Sequence, residues 1–308
     1  MSTSNTHQNT LPVEINLLDA FTNEPPKHDF VLPGLISGTV GSVIAPGGVG
    51  KSFFALEVAI AVATGHDITC GALTCENQLK GKVLYLPAED MEAIIQGRLY
   101  WLGKYLNREE LVVASNFISI IPLVGTIPYV HTSSSDNDAR LNAESWAITL
   151  RELAEGKRLV IIDTLRRFHG CDENDGAAMT LLLQIIEVIA FETGATFIFL
   201  HHTNKASHIE NGDGQGAARG SGVLSDNGRW QLNLVVMTKK EAKELKIKES
   251  ERRNYIRVVQ SKVNYSSIQD DCWLQRSEYG VLIPSTLENK KSHSKTKKRI
   301  TRKKYESS

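Results

Sequence analysis

The chain is poor in cysteine, with four thiols in 308 residues, at positions 70, 75, 171 and 272. Their scatter builds no disulfide framework, and Cys70 and Cys75 have no second pair to complete a zinc site. Reduced thiols in a bacterial cytoplasm are the expectation. Apolar continuity is short as well. The run 53–63 is broken by Glu57 and is too short to cross a bilayer, so no membrane role is expected. The opening MSTSNTHQNT lacks the basic start and apolar centre of a secretory signal. Net charge is also missing, because 35 basic and 35 acidic residues cancel. That balance hides an asymmetry. Residues 289–308 hold nine Lys/Arg and one Glu, which leaves 26 basic and 34 acidic residues in the rest of the chain. An acidic body therefore carries a basic tail, suited either to phosphate contacts or simply to solvation.

What the chain does have is alternation. Residues 1–30 are polar and proline-containing and read as an arm. From there, strand-like runs at 38–45, 82–88, 117–123, 158–163, 195–202 and 230–237 alternate with helix-like stretches near 51–64, 90–105, 139–155 and 176–192. Several strands are continuous apolar runs, as expected where helices cover both faces of a sheet. The fold class is α/β: a mainly parallel sheet flanked by helices over 31–288. After a charged helical segment beginning at 239, YIRVVQSKVNY and CWLQRSEYGVLIP read as strands that extend the sheet at its C-terminal end. HTSSSDND (131–138) and residues 203–222 read as long loops, and 289–308 as a disordered basic tail.

The stretch VIAPGGVGKSFFALEV (43–58) carries the first chemistry. APGGVGKS is a phosphate-binding loop with Ala45 in place of the usual first glycine. Gly47, Gly48 and Gly50 let backbone N–H groups close on a phosphate, Lys51 adds positive charge, and Ser52 offers a hydroxyl to Mg2+. The helix N-terminus that follows adds its partial charge. Such a loop grips a nucleoside triphosphate together with Mg2+. RLVIID ends in Asp163, placed to serve the magnesium shell, or more plainly to cap the next helix. VLYLPA is followed by Glu89 and Asp90. Glu89 is the better candidate for activating water, since Asp90 makes sense as a helix N-cap. FIFLHH ends a buried strand with His201 and His202, near where a terminal phosphate would lie. Arg219 and Arg229 are both candidates for an arginine that stabilises charge in a neighbour's site.

Taken together, VLPGLISGTVGSVIAPGGVGKS, VLYLPAED, IIDTLRRFH, FLHHTNKA, RGSGVLSDNGRW and QSKVNYSS resemble, in order, the RepA-type hexameric replicative DNA helicases of broad-host-range plasmids, within the RecA/DnaB-like ATPase class. The resemblance implies a homo-oligomeric ring, a hexamer, that binds ATP between subunits and moves on single-stranded DNA. It assigns Glu89 as the catalytic carboxylate, Asp163 as the Walker B acid, His202 as the γ-phosphate sensor and Arg229 as the arginine finger. It also turns the segments near 166–176 and 203–222 toward the central channel, where Arg166, Arg167, Lys205 and Arg219 are DNA-binding candidates. A separate primase and an origin-binding initiator are the implied partners. Other readings keep part of this chemistry. A RecA-like mediator or regulator would hydrolyse ATP on single strands without unwinding. A non-catalytic DNA-binding regulator would leave Glu89 without a task. A small-molecule kinase would have no use for a trans arginine or a basic tail.

Overall fold

A computed structural model of the chain describes residues 14–69, 71–75, 77–202, 228–285 and 287. Lys205 and Arg219, the loop 203–222 and the tail 289–308 lie outside the described residues.

Helix α1 (Leu17–Thr22), capped by the Asn16 side chain, buries none of its residues. A ribbon of β1 (Phe30–Leu32) and β2 (Leu35–Ile36) follows. The buried strand β3 (Val40–Ala45) then feeds α2 (Lys51–Thr64). Every residue of α2 from Phe54 to Thr64 is buried, as its apolar surface on all sides requires. Next come β4 (Val83–Pro87), α3 (Glu92–Leu102), α4 (Arg108–Phe117) and β5 (Ile118–Ile120). β6 (His131–Thr132), α5 (Asn137–Ala154), β7 (Leu159–Asp163) and β8 (His169–Gly170) follow. α6 (Gly176–Thr193) leads into β9 (Thr196–His202). Further on lie β10 (Trp230–Val236), α7 (Lys239–Glu244), β11 (Tyr255–Val263), β12 (Cys272–Arg276) and β13 (Leu282–Pro284).

One nine-stranded sheet runs β13-β12-β11-β10-β3-β9-β7-β4-β5. From β10 to β5 every pairing is parallel, and β11, β12 and β13 add on antiparallel. The central parallel strands β3, β9, β7 and β4 are buried on both faces, while the edge strand β5 is only partly covered. In β7, Leu159 and Ile161 join the core around α2, while Val160 and Ile162 join the core around α6. In β4, Val83 and Tyr85 divide from Leu84 and Leu86 in the same way. Helix α6 is 18 residues long with a mean hydropathy of 1.5, long and apolar enough to cross a membrane by composition alone. Its stripe of Met179, Leu182, Leu183, Ile186 and Ala190 is buried against the sheet, which marks it as a core helix.

The structure corrects four local expectations. The stretch 131–138 is not a simple loop: His131 and Thr132 pair with His169 and Gly170, and Asp136 caps α5. Helix α4 stands where only a connection was expected. CWLQRSEYGVLIP is a hairpin, β12 and β13, rather than one strand. Asp90 caps nothing, since α3 starts after Met91 without a side-chain cap and the Asp90 carboxylate pairs with Arg98 at 2.5 Å.

Because the strands are parallel, their C-terminal ends meet along one edge. The register sets Ala45 beside His202, Pro87 beside Asp163, and Asp163 beside Leu200. Chemistry-bearing residues that lie far apart in sequence gather there.

Candidate nucleotide site

The turn after β3 is shaped by glycine. Gly48 and Gly50 hold φ of +75° and +106°, a region that favours glycine. An added Cβ on Gly47 or Gly48 would meet nothing within 4 Å, so the loop is open on its outer side. Gly50 caps α2 with no side-chain acceptor. Among the described residues, the N–H groups of Gly48, Val49, Gly50, Lys51 and Ser52 donate to no acceptor. Such a run of free donors at a helix start suits an anion.

Lys51 fills the loop's centre and is only 7% exposed. Its Nζ donates to Ala45 O (3.3 Å), Pro46 O (3.0 Å) and His202 Nδ1 (3.0 Å). Burial pulls its pKa down to about 8, against the opposing fields of Asp163 and Glu89. An ammonium donating to Nδ1 fixes the proton of neutral His202 on Nε2. That nitrogen lies 4.0 Å from Glu89 Oε2. Burial, with Lys51 beside it, lowers the His202 pKa, so the ring favours this neutral form.

Asp163 ends β7 almost fully buried. It accepts from the Tyr85 hydroxyl at 2.7 Å and from the Ser52 hydroxyl. Burial raises its pKa, while Tyr85, Ser52 and Lys51 pull the other way. Ser52 and Asp163 together supply a hydroxyl and a carboxylate oxygen, hard ligands suited to Mg2+. The loop amides and Lys51 suit the phosphates. This donor set fits a magnesium nucleotide.

Glu89 sits at the mouth, with its side chain 40% exposed. Its Oε1 accepts from Thr164 Oγ1 at 3.3 Å and faces Arg167 Nε at 3.5 Å. Glu89, Asp163, His202, Lys51 and Ser52 are thus brought together. Arg167 joins their rim through Glu89. Arg166 stays exposed and turns to Glu173 at 3.9 Å and to His169 O at 3.4 Å. His201 points into the protein instead, where burial drives its pKa to about 4. Arg229 is exposed at the start of β10. Gln231 pairs with Ser42, so Arg229 lies level with Val40. It is five residues, about 16 Å, from the loop end of β3.

Two side chains at this site carried no chemical signal in the sequence. Tyr85 read as core because it sits within an apolar strand, and its partner Asp163 is 78 positions away. Thr164 follows Asp163 directly and reaches Glu89. Only the β4–β7 register discloses either contact.

A family model described as AAA domain (AAA_25) matches residues 7–208. One solved ATPase domain aligns with a TM-score of 0.53 at 16% identity, over 82% of this chain and 87% of that one. A DnaB-like replicative helicase, solved in work on its interactions with primase, aligns with a TM-score of 0.53 at 17% identity over 80% of this chain. The chain spans 57% of that protein's length. The shared architecture is the RecA-like P-loop fold, with the antiparallel strands β11–β13 added at one edge.

Proposed function

The chain belongs to the AAA domain family, and from that premise we propose that it is an ATP-driven, ring-forming replicative DNA helicase of the RepA type. It works on single-stranded DNA as a hexamer, in plasmid or phage replication. A separate primase and an origin-binding initiator are the proposed partners. Residues 1–30 form its arm, 31–288 its ATPase body and 289–308 its basic tail.

One observation carries the step from ATPase to ring. Arg229 stands at the opposite end of the sheet from its own glycine loop, about 16 Å away along the strands. It cannot reach its own site, and it is exposed for a neighbour's. Arginines supplied in trans speed phosphoryl transfer by roughly 10³–10⁵.

ATP supplies the transferable phosphoryl group, and Mg2+ offsets its charge. The loop from Ala45 through Gly47, Gly48 and Gly50 holds the phosphates with Lys51, and Ser52 and Asp163 hold the metal. Glu89 orients water and accepts its proton. His202 links Lys51 and Glu89 to the end of β9, and so to the segment that follows. Arg166, Arg167, Lys205 and Arg219 supply positive charge for the DNA backbone.

Strand displacement from a forked duplex, with ATP and Mg2+, tests this reading. Wild type separates the strands and Lys51→Ala does not. DNA-stimulated ATP hydrolysis without displacement on any fork would replace the helicase with a RecA-like mediator or regulator.

A further inference from the structure

One side of the molecule holds a cavity that the chemistry above does not use. Helices α5 and α6 lead into the parallel strands β7 and β9, so both helices begin at the edge of the sheet where the glycine loop lies. The short strand β6 packs against both of them. Between these three elements lies a cavity of about 490 Å³. Its apolar lining is Val130, Ala143, Ala147 and Ile185. Arg140 and Glu144, one turn apart on α5, line it too and are exposed. Neither of these two side chains has a partner among the described residues.

The surroundings of the cavity are acidic. Residues 131–144 and 169–176 carry Asp136, Asp138, Glu144, Asp172, Glu173 and Asp175 against a single basic residue, Arg140, a local net of −5. The pairing of β6 with β8 brings the two segments together. Asp136 and Asp175 cap α5 and α6, and Asp172 accepts from Asn174. Of the six acids, Glu173 alone forms an ion pair among the described residues, with Arg166 at 3.9 Å. Most of this negative charge therefore faces no cation.

The chain itself contains the complement. Residues 289–308 hold nine Lys/Arg and one Glu. Tyr305 is the one Phe, Tyr or Trp after Tyr279, and it directly follows Arg302, Lys303 and Lys304. A ring preceded by cations matches an apolar floor within an acidic rim. The ring leaves water, the lysines meet carboxylates, and the Arg140 guanidinium suits the ring face. Reach allows it. Strand β13 lies six strands from β7, roughly 29 Å across the sheet. The 17 residues from Glu288 to Lys304 can span up to about 55 Å.

We propose that the basic tail docks on its own chain at this cavity, with Tyr305 seated on the apolar floor and the lysines before it on the acids of α5 and of the segment 172–175. The tether sets an effective concentration on the order of millimolar, so contacts too weak to hold a separate peptide suffice. Charge makes the docking salt-sensitive.

Carbodiimide crosslinking of the full chain at low salt, read by mass spectrometry, tests this docking. The reagent joins a lysine amine to a carboxylate in contact with it. Tail lysines join Asp136, Asp138 and Glu144 in preference to other acids of the body, and about 1 M NaCl abolishes these links. In Tyr305→Ala their yield falls roughly tenfold, while Tyr305→Phe retains it. Glu144→Gln, checked for folding by circular dichroism, loses the link at 144 and keeps those at Asp136 and Asp138. Links scattered evenly over the acids of the body, or links at α5 that survive Tyr305→Ala undiminished, overturn the proposal. So do links that join heavy-isotope-labelled to unlabelled chains after subunit exchange, because they assign the tail to a second copy.

Discussion

Lys51 is a cation kept almost free of water, and its neighbours are carbonyls and one imidazole rather than a bonded carboxylate. Burial brings its pKa to about 8. A bound polyphosphate favours the charged form and returns it toward the ordinary lysine range near 10.4. The sign follows directly. Below about pH 7 the free lysine is already charged and binding takes up little. At pH 9 the free lysine is mostly neutral, and binding takes up close to one proton, about 0.9 on this argument. Affinity therefore falls as pH rises above 8. Titration of ATP at pH 9 in two buffers of different protonation enthalpy gives heats that differ by this uptake. In Lys51→Arg the difference disappears, because a guanidinium stays charged throughout. Equal heats for wild type in both buffers would refute the buried-lysine account.

At the scale of elements, β3 is a strand built to lie beneath a tryptophan. Trp230 is 1% exposed, its Nε1 donates to Pro33 O at 2.8 Å, and its ring crosses Gly41. An added Cβ at Gly41 would fall 2.6 Å from Trp230 Cε3. Gly41→Ala is thus expected to cost about 1–3 kcal/mol in urea unfolding, while Ser42→Ala, whose hydroxyl has no partner, costs far less. The same elements show what a sequence discloses. β3, β7 and β9 were legible as apolar runs because both of their faces are covered. α4 was not, because it is only ten residues long, opens on the charged run Arg108-Glu109-Glu110 and buries no residue. Its capping box, Asn107 with Glu110, was the one local sign of it. The β12–β13 turn hid in a continuous run because only Gly280, at φ +99°, marks it. Asp90 misled for a different reason: an acid before a helix fits a cap, and only the fold brings Arg98 to it. The glycine loop, Asp163 and Glu89 stood out in the sequence because each lies at or just past the C-terminal end of an apolar strand. Arg229 was left level with Arg219 by the residues alone, and only resemblance chose it.

At the scale of the whole molecule, the proposed site is completed by two subunits, and this has a direct test. Lys51→Ala and Arg229→Ala are each expected to lose most ATP hydrolysis as pure proteins. Mixed in equal amounts and allowed to exchange, they regain activity, since some interfaces pair an intact Lys51 with a neighbour's intact Arg229. Random assembly makes that about a quarter of the sites. A mixture as inactive as its components would show that Arg229 acts within its own subunit or not at all. The hydrogen-bonded pair β3 and β10 gives this arrangement a further meaning. On the proposed reading, one end of the pair would receive a nucleotide and the other end, one residue before the tightly held Trp230, would face the next subunit. An object with unlike ends is an arrow. Arrows joined head to tail in a circle distinguish clockwise from anticlockwise, so a ring of these subunits would possess a handed order of events before any DNA enters it.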